Sequence, residues 1–138
     1  MEKYVLKNPD SFKLEHIFEC GQCFRWNKID EKTYVGIVKN SVIKVKQNKK
    51  DFIFTGSFFN KLQDSDDSFE RLINYYFDLD TDYSLYKKKL SQIDNFLSQS
   101  IEFGEGIRIL NQDLWEIIIS FIISANNNIP RIKGIIET

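Results

Sequence analysis

Between residues 33 and 55 polar and apolar positions alternate with a period of two, interrupted by short polar turns. Thr33–Val38 is rich in β-branched and aromatic residues, and Lys39-Asn40-Ser41 forms a tight turn. In Val42–Gln47, Ile43 and Val45 fall on one face and Lys44 and Lys46 on the other, and Asn48–Asp51 turns into Phe52-Ile53-Phe54-Thr55. This pattern predicts an antiparallel sheet with one face against a core. Upstream, Cys23-Phe24-Arg25-Trp26 is predicted as the first strand of the meander, followed by a charged loop over Lys28–Lys32. Val5-Leu6 predicts a further short strand with a turn at Asn8-Pro9-Asp10, while Phe12–Phe18 is too short to assign by period.

The period changes after Asp64. An acidic run, Asp64–Ser68, precedes Phe69, Leu72, Ile73 and Tyr76, which keep helical spacing, and acids suit the start of a helix. Asp78–Asp82 breaks this helix, Tyr83–Leu90 starts another, and Phe96-Leu97 sits in a third. Phe103-Gly104-Glu105-Gly106 reads as a flexible joint. Beyond it, Asp113 with Glu116 has the spacing of a capping box, with Asp in place of Ser or Thr. From Leu114 to Ile123 only Glu116 and Ser120 interrupt an apolar surface, which predicts a helix buried on all sides. That run is far short of the ~20 residues that span a bilayer, so no membrane anchor is expected. Asn126-Asn127-Asn128 ends the helix, and Pro130 suits the first turn of the next, which carries Arg131. The last residues, Ile132, Ile135 and Ile136 among them, stop in mid-pattern and ask for partners. The expected class is α+β: a twisted antiparallel sheet flanked by helices over residues 1–104, then the first helices of an all-α unit over 105–138.

Composition narrows the partners. The 138 residues suffice for a real core, 14% of them are aromatic, and nothing suggests disorder. A net charge of −1 and a pI near 5.9 count against nonspecific coating of nucleic acid, but allow a local DNA-contact surface. The N-terminus has no apolar stretch of signal-peptide type, and two cysteines suit a reducing setting, so a cytoplasmic or nuclear location is expected.

The turn after the apolar helix is the candidate for chemistry. Side-chain amides and a guanidinium on a rigid base are the groups that bond base edges and phosphates, although Asn-rich turns are also common as plain structure. Gly21, taken alone, is a turn glycine before a strand. Cys20-Gly21-Gln22-Cys23 has C-x-x-C spacing, but His16 is the sole histidine available to extend it. A zinc site wants four ligands, and a redox dithiol wants a strand–helix context; no metal or cofactor is expected. Arg25 and Trp26 are read as holding the sheet together, and Lys87-Lys88-Lys89 as a solvated helix face.

The segment QDLWEIIISFIISANNNIPRI, preceded by GIRIL, resembles the start of the catalytic domain of the 8-oxoguanine DNA glycosylases, and Gly21-Gln22-Cys23-Phe24-Arg25-Trp26 is a second match in the family's order. The resemblance implies a base-excision repair enzyme, an N-glycosylase and AP lyase acting on 8-oxoguanine opposite cytosine in double-stranded DNA. It implies that the Gly21 carbonyl faces N7 of the base. That atom carries a hydrogen in 8-oxoguanine and is a bare acceptor in guanine, so the carbonyl attracts the first and repels the second. By the same resemblance Asn126 fills the gap left by the flipped nucleotide and Arg131 donates to N3 and O2 of the orphaned cytosine. Asn127 and Asn128 are further DNA-binding candidates or caps of the next helix. Pro130 departs from the small residue the family has there. The family's helix-hairpin-helix element, catalytic lysine and catalytic aspartate lie beyond this sequence, so the chain is expected to be inactive alone, to need that helical part, and otherwise to be a monomer.

Three rivals remain open at this point. They are an alkylated-base glycosylase of the same superfamily, a DNA-binding module without catalysis, and an α+β interaction domain.

Overall fold

The computed structural model describes residues 1–57 and 68–137. The acidic run at 64–67, assigned above to a helix start, lies outside them. Five strands form one antiparallel sheet: β1 (Glu2–Leu6), β2 (Trp26–Asp30), β3 (Thr33–Val38), β4 (Ser41–Asn48) and β5 (Asp51–Ser57). Their order is β1-β5-β4-β3-β2, so β2 to β5 make a meander and the N-terminal strand closes onto the last one. Six helices complete the described residues: α1 (Leu14–Phe18), α2 (Phe69–Tyr76), α3 (Tyr83–Ser91), α4 (Asn95–Phe103), α5 (Leu114–Ser124) and α6 (Ile129–Glu137). The class is α+β, as the sequence predicts.

The alternation in β4 is realised: Ile43 and Val45 are fully buried, while Lys44 and Lys46 face solvent. Opposite them, Phe52 and Phe54 of β5 and Tyr34 of β3 complete the inner face of the sheet. Helices α1 and α2 cover that face with Leu14, Ile17, Phe18, Leu72 and Ile73, and Phe77 follows directly. The core is largely aromatic. Phe77 lies within 6.0 Å of the rings of Phe12, Phe18, Trp26, Phe54 and Tyr76, mostly tilted or edge-on, as ring quadrupoles prefer.

Three expectations are corrected. The first strand of the meander is Trp26–Asp30 and not Cys23–Trp26, so most of the predicted charged loop is strand. Strand β2 lies at the sheet edge, where Trp26 alone is buried and a charged outer row is normal, so it carries no alternation to read. Residues 23–25 are irregular because Cys23 and Phe24 turn consecutively into the interior, which a strand cannot do. The second concerns Phe12–Phe18, which its length leaves unassigned by period and which contains the helix α1.

The third correction concerns α5. Its Asp113 cap is as predicted, with Oδ1 accepting from the Glu116 N–H at 3.1 Å. The helix is nevertheless not buried on all sides: none of its residues is buried, and Leu114, Trp115 and Phe121 are 70% exposed or more. Among the described residues it is approached by α6 and by the loop before β2.

The joint before α5 is firmly held. Gly106 donates to His16 Nδ1 and accepts from the Lys13 N–H, and a Cβ there would overlap Lys13. Glu105 pairs with Lys13 and offers its carbonyl to Lys87, which also donates to Ser11 Oγ at 2.7 Å. Lys87 is therefore tied down, unlike a solvated lysine.

Candidate nucleic-acid interface

The loop between α1 and β2 carries Gly21. Its φ of +84° is one that a side chain strains, which is why glycine stands there. Behind the loop, Trp26 stacks on Phe18 with centroids 4.2 Å apart and donates from Nε1 to the Tyr76 hydroxyl at 2.9 Å. Cys23 is buried in the same core, and burial pushes its thiol up to about 12, so it stays protonated and unreactive. Cys20 is exposed, with its Sγ 3.5 Å from the Ile17 carbonyl.

Gln22 holds the loop in place. Its Nε2 donates to the carbonyls of Ile17 at 3.0 Å and Arg108 at 2.8 Å, its Oε1 accepts from the Leu110 N–H at 3.0 Å, and its own carbonyl accepts from Gln112 Nε2 at 2.6 Å. Arg108 is anchored in turn. Its guanidinium donates to the carbonyls of Phe77, Asp78, Thr81 and Asp10 and stacks on Tyr83 with the ring centroid at 4.2 Å. Arginine suits this place because one planar fork can serve several carbonyls at once.

The Asn turn divides its labour. Asn127 Nδ2 donates to the Ile123 carbonyl at 3.0 Å, closing the end of α5, and Asn128 Oδ1 accepts from the Arg131 N–H at 3.1 Å, capping α6. Asn126 adopts the left-handed conformation, φ +54°, and is exposed together with Arg131. Among the described residues neither the Asn126 amide nor the Arg131 guanidinium has a hydrogen-bond partner. Pro130 occupies the first turn of α6, where its missing N–H costs nothing.

The two motifs are far apart in sequence and meet in space. A Cβ on Gly21 would stand 3.8 Å from Ile129 Cδ1, the residue that opens α6. Arg25 pairs with Glu116 of α5 at 3.2 Å, Lys133 of α6 donates to the Trp26 carbonyl at 2.8 Å, and Asn27 donates to Glu137 at 3.0 Å. Arg25 thus joins the loop to α5 in addition to flanking the sheet. Gln22, Arg108 and Lys133 escape a reading of the sequence. The available hint for Arg108 is one cation inside the otherwise apolar Ile107–Leu110.

A sheet carrying a glycine loop against an Asn-capped helix pair defines an α+β unit in which the loop meets the helix that follows the exposed Asn126 amide and carries the exposed Arg131 guanidinium. Residues 4–118 match the family described as 8-oxoguanine DNA glycosylase, N-terminal domain, and the chain belongs to that family. The N-glycosylase/DNA lyase of Saccharomyces cerevisiae is 31% identical over 137 residues, covering 91% of this chain and 35% of that protein. The apo crystal structure of Clostridium acetobutylicum 8-oxoguanine glycosylase/lyase superposes with a TM-score of 0.82 at 42% identity, covering 96% of this chain and 44% of that one. The same enzyme in complex with double-stranded DNA containing cytosine opposite 8-oxoguanine gives a TM-score of 0.81, also at 42% identity. The chain therefore spans less than half the length of these relatives.

Proposed function

We propose that this chain is the N-terminal part of a DNA glycosylase/AP lyase that removes 8-oxoguanine paired with cytosine from duplex DNA. Residues 1–104 form its α+β unit, and residues 105–138 open the helical unit. The observation that carries this is the meeting of the positive-φ Gly21 loop with the start of α6, directly after the Asn turn. In this reading the Gly21 carbonyl accepts from N7–H of the extruded base, Asn126 fills the vacated stack, and Arg131 donates to the cytosine left behind. In the same reading Asn127 and Asn128 hold the turn and would bond the DNA backbone with the side-chain atoms their caps leave over, Asn127 Oδ1 and Asn128 Nδ2. The protein works where its substrate is, in the cytoplasm or, in a eukaryote, the nucleus.

The nucleophile belongs to the part of the protein that follows. In such an enzyme a lysine attacks the sugar carbon, the base departs, and the resulting Schiff base permits strand cleavage. Borohydride trapping on a duplex with 8-oxoguanine opposite cytosine tests this division. The full-length protein is expected to give a covalent adduct and residues 1–138 alone none. An adduct on the short chain would place the nucleophile within these residues and end this assignment.

A further inference from the structure

We infer that Gln22 is a positioning residue for lesion recognition: it fixes the aim of the Gly21 carbonyl by splicing the loop to the strap 108–112. This deepens, and rests on, the reading of Gly21 as the group that meets N7 of the base. A carbonyl discriminates N7–H from a bare N7 only if it is held on the line of that bond, since hydrogen bonds weaken steeply off axis. The Gly21 backbone cannot hold itself there, because glycine is the most permissive residue and the strand that follows the loop begins only at Trp26.

The neighbouring side chain supplies the constraint. Gln22 donates to two carbonyls, Ile17 of α1 and Arg108 of the strap, and accepts the Leu110 N–H, while the strap's Gln112 returns a bond to the Gln22 carbonyl. The amide's three bonds go to two separate segments, and the fourth engages the Gln22–Cys23 peptide, one residue beyond the Gly21 carbonyl. The strap is itself rigid: Arg108 is 4% exposed and locked on the α2–α3 turn, and Asn111 donates from its backbone to the Tyr76 carbonyl at 2.9 Å and from Nδ2 to the Tyr75 carbonyl at 2.8 Å. Among the described residues the Gly21 carbonyl itself accepts no hydrogen bond. The network therefore surrounds the reading group and leaves its acceptor for the base.

The test uses full-length protein with Gln22→Ala and Gln22→Glu. The glutamate keeps the stem and the acceptor for Leu110 while removing both donors. Two quantities are read: single-turnover excision of 8-oxoguanine opposite cytosine, and equilibrium affinity for a tetrahydrofuran abasic site opposite cytosine, which has no base to meet Gly21. Loss of aim predicts a fall in excision of roughly tenfold or more, since small misplacements of a reacting partner are costly, with abasic-site affinity unchanged. Wild-type excision in both variants overturns the inference. So does a parallel loss of excision and abasic-site binding, which marks Gln22 as a general structural residue. The reading beneath is judged on the wild type: no preference for 8-oxoguanine over guanine there overturns it together with this inference.

Discussion

At the scale of single residues, the four polar positions 126, 127, 128 and 131 in and after the Asn turn do three different jobs. The asparagines at 127 and 128 spend their side chains on the two helix ends. The left-handed conformation of Asn126 is one that asparagine tolerates better than most residues, so a turn requirement and an outward amide coincide at one position. Arg131 contributes its backbone N–H to the cap and keeps its guanidinium exposed. Two fates of that guanidinium are separable. A contact to a base edge is worth about 1–3 kcal/mol of discrimination, whereas a phosphate contact weakens all duplexes alike and flattens the salt dependence. Arg131→Ala in the full-length protein is expected to lose opposite-base discrimination more than general affinity. Binding to 8-oxoguanine opposite each of the four bases, at two salt concentrations, measures this. A uniform loss with a shallower salt slope would move Arg131 to the backbone.

At the scale of elements, the tightest constraint is the cross-strand pair Trp26 and Gly36, which face each other between β2 and β3. A Cβ on Gly36 would lie inside the Trp26 indole. Gly36→Ala must therefore push aside a side chain that is 1% exposed, stacked on Phe18 and bonded to Tyr76. Overpacking of this kind costs about 1–3 kcal/mol. Chemical denaturation of the variant checks it, and an unchanged midpoint would mean that the ring has room to yield.

The same pair shows which elements could be read from the sequence. Strands β3, β4 and β5 announced themselves because alternation survives wherever one face is buried. Strand β2 did not, because an edge strand with one inward side chain has no period. The Gly21 and Asn motifs were legible as residue types. Their meeting was not, since it depends on Lys133 reaching a carbonyl of residue 26 and on Arg25 reaching Glu116, contacts that no local pattern encodes. The all-round apolar character of α5 is legible in its composition, but its burial is not, because burial also requires neighbours.

At the scale of the whole molecule, the apolar surface is unevenly distributed. One side of the sheet is sealed by an aromatic core, yet Phe96, Phe103, Leu114, Trp115 and Phe121, all on helices α4 and α5, are between 70% and 88% exposed. So many large apolar side chains left open to solvent are unusual on a monomer and mark a surface that takes a cover. Residues 1–138 prepared alone are expected to associate as concentration rises and to bind a hydrophobic dye. The full-length protein should do neither to the same extent. Sedimentation across a hundredfold concentration range, with dye fluorescence alongside, decides this. A monodisperse short chain that leaves the dye dark would show that this surface needs no cover.

The splice at Gln22 also has a consequence for how the protein is made. Its bonds to residues 108, 110 and 112 span sequence separations of 86, 88 and 90, whereas the sheet's meander joins neighbours in sequence. Local pairings form early and distant ones late, because a long loop must close before the contact rewards it. On a ribosome, β2 to β5 can assemble and capture β1 while the strap is still unsynthesised. The glycine loop then hangs on a finished sheet without an address. It acquires its shape only when Arg108 has docked and the strap has been laid beside it, so the part that would read the base is the part of this region set last.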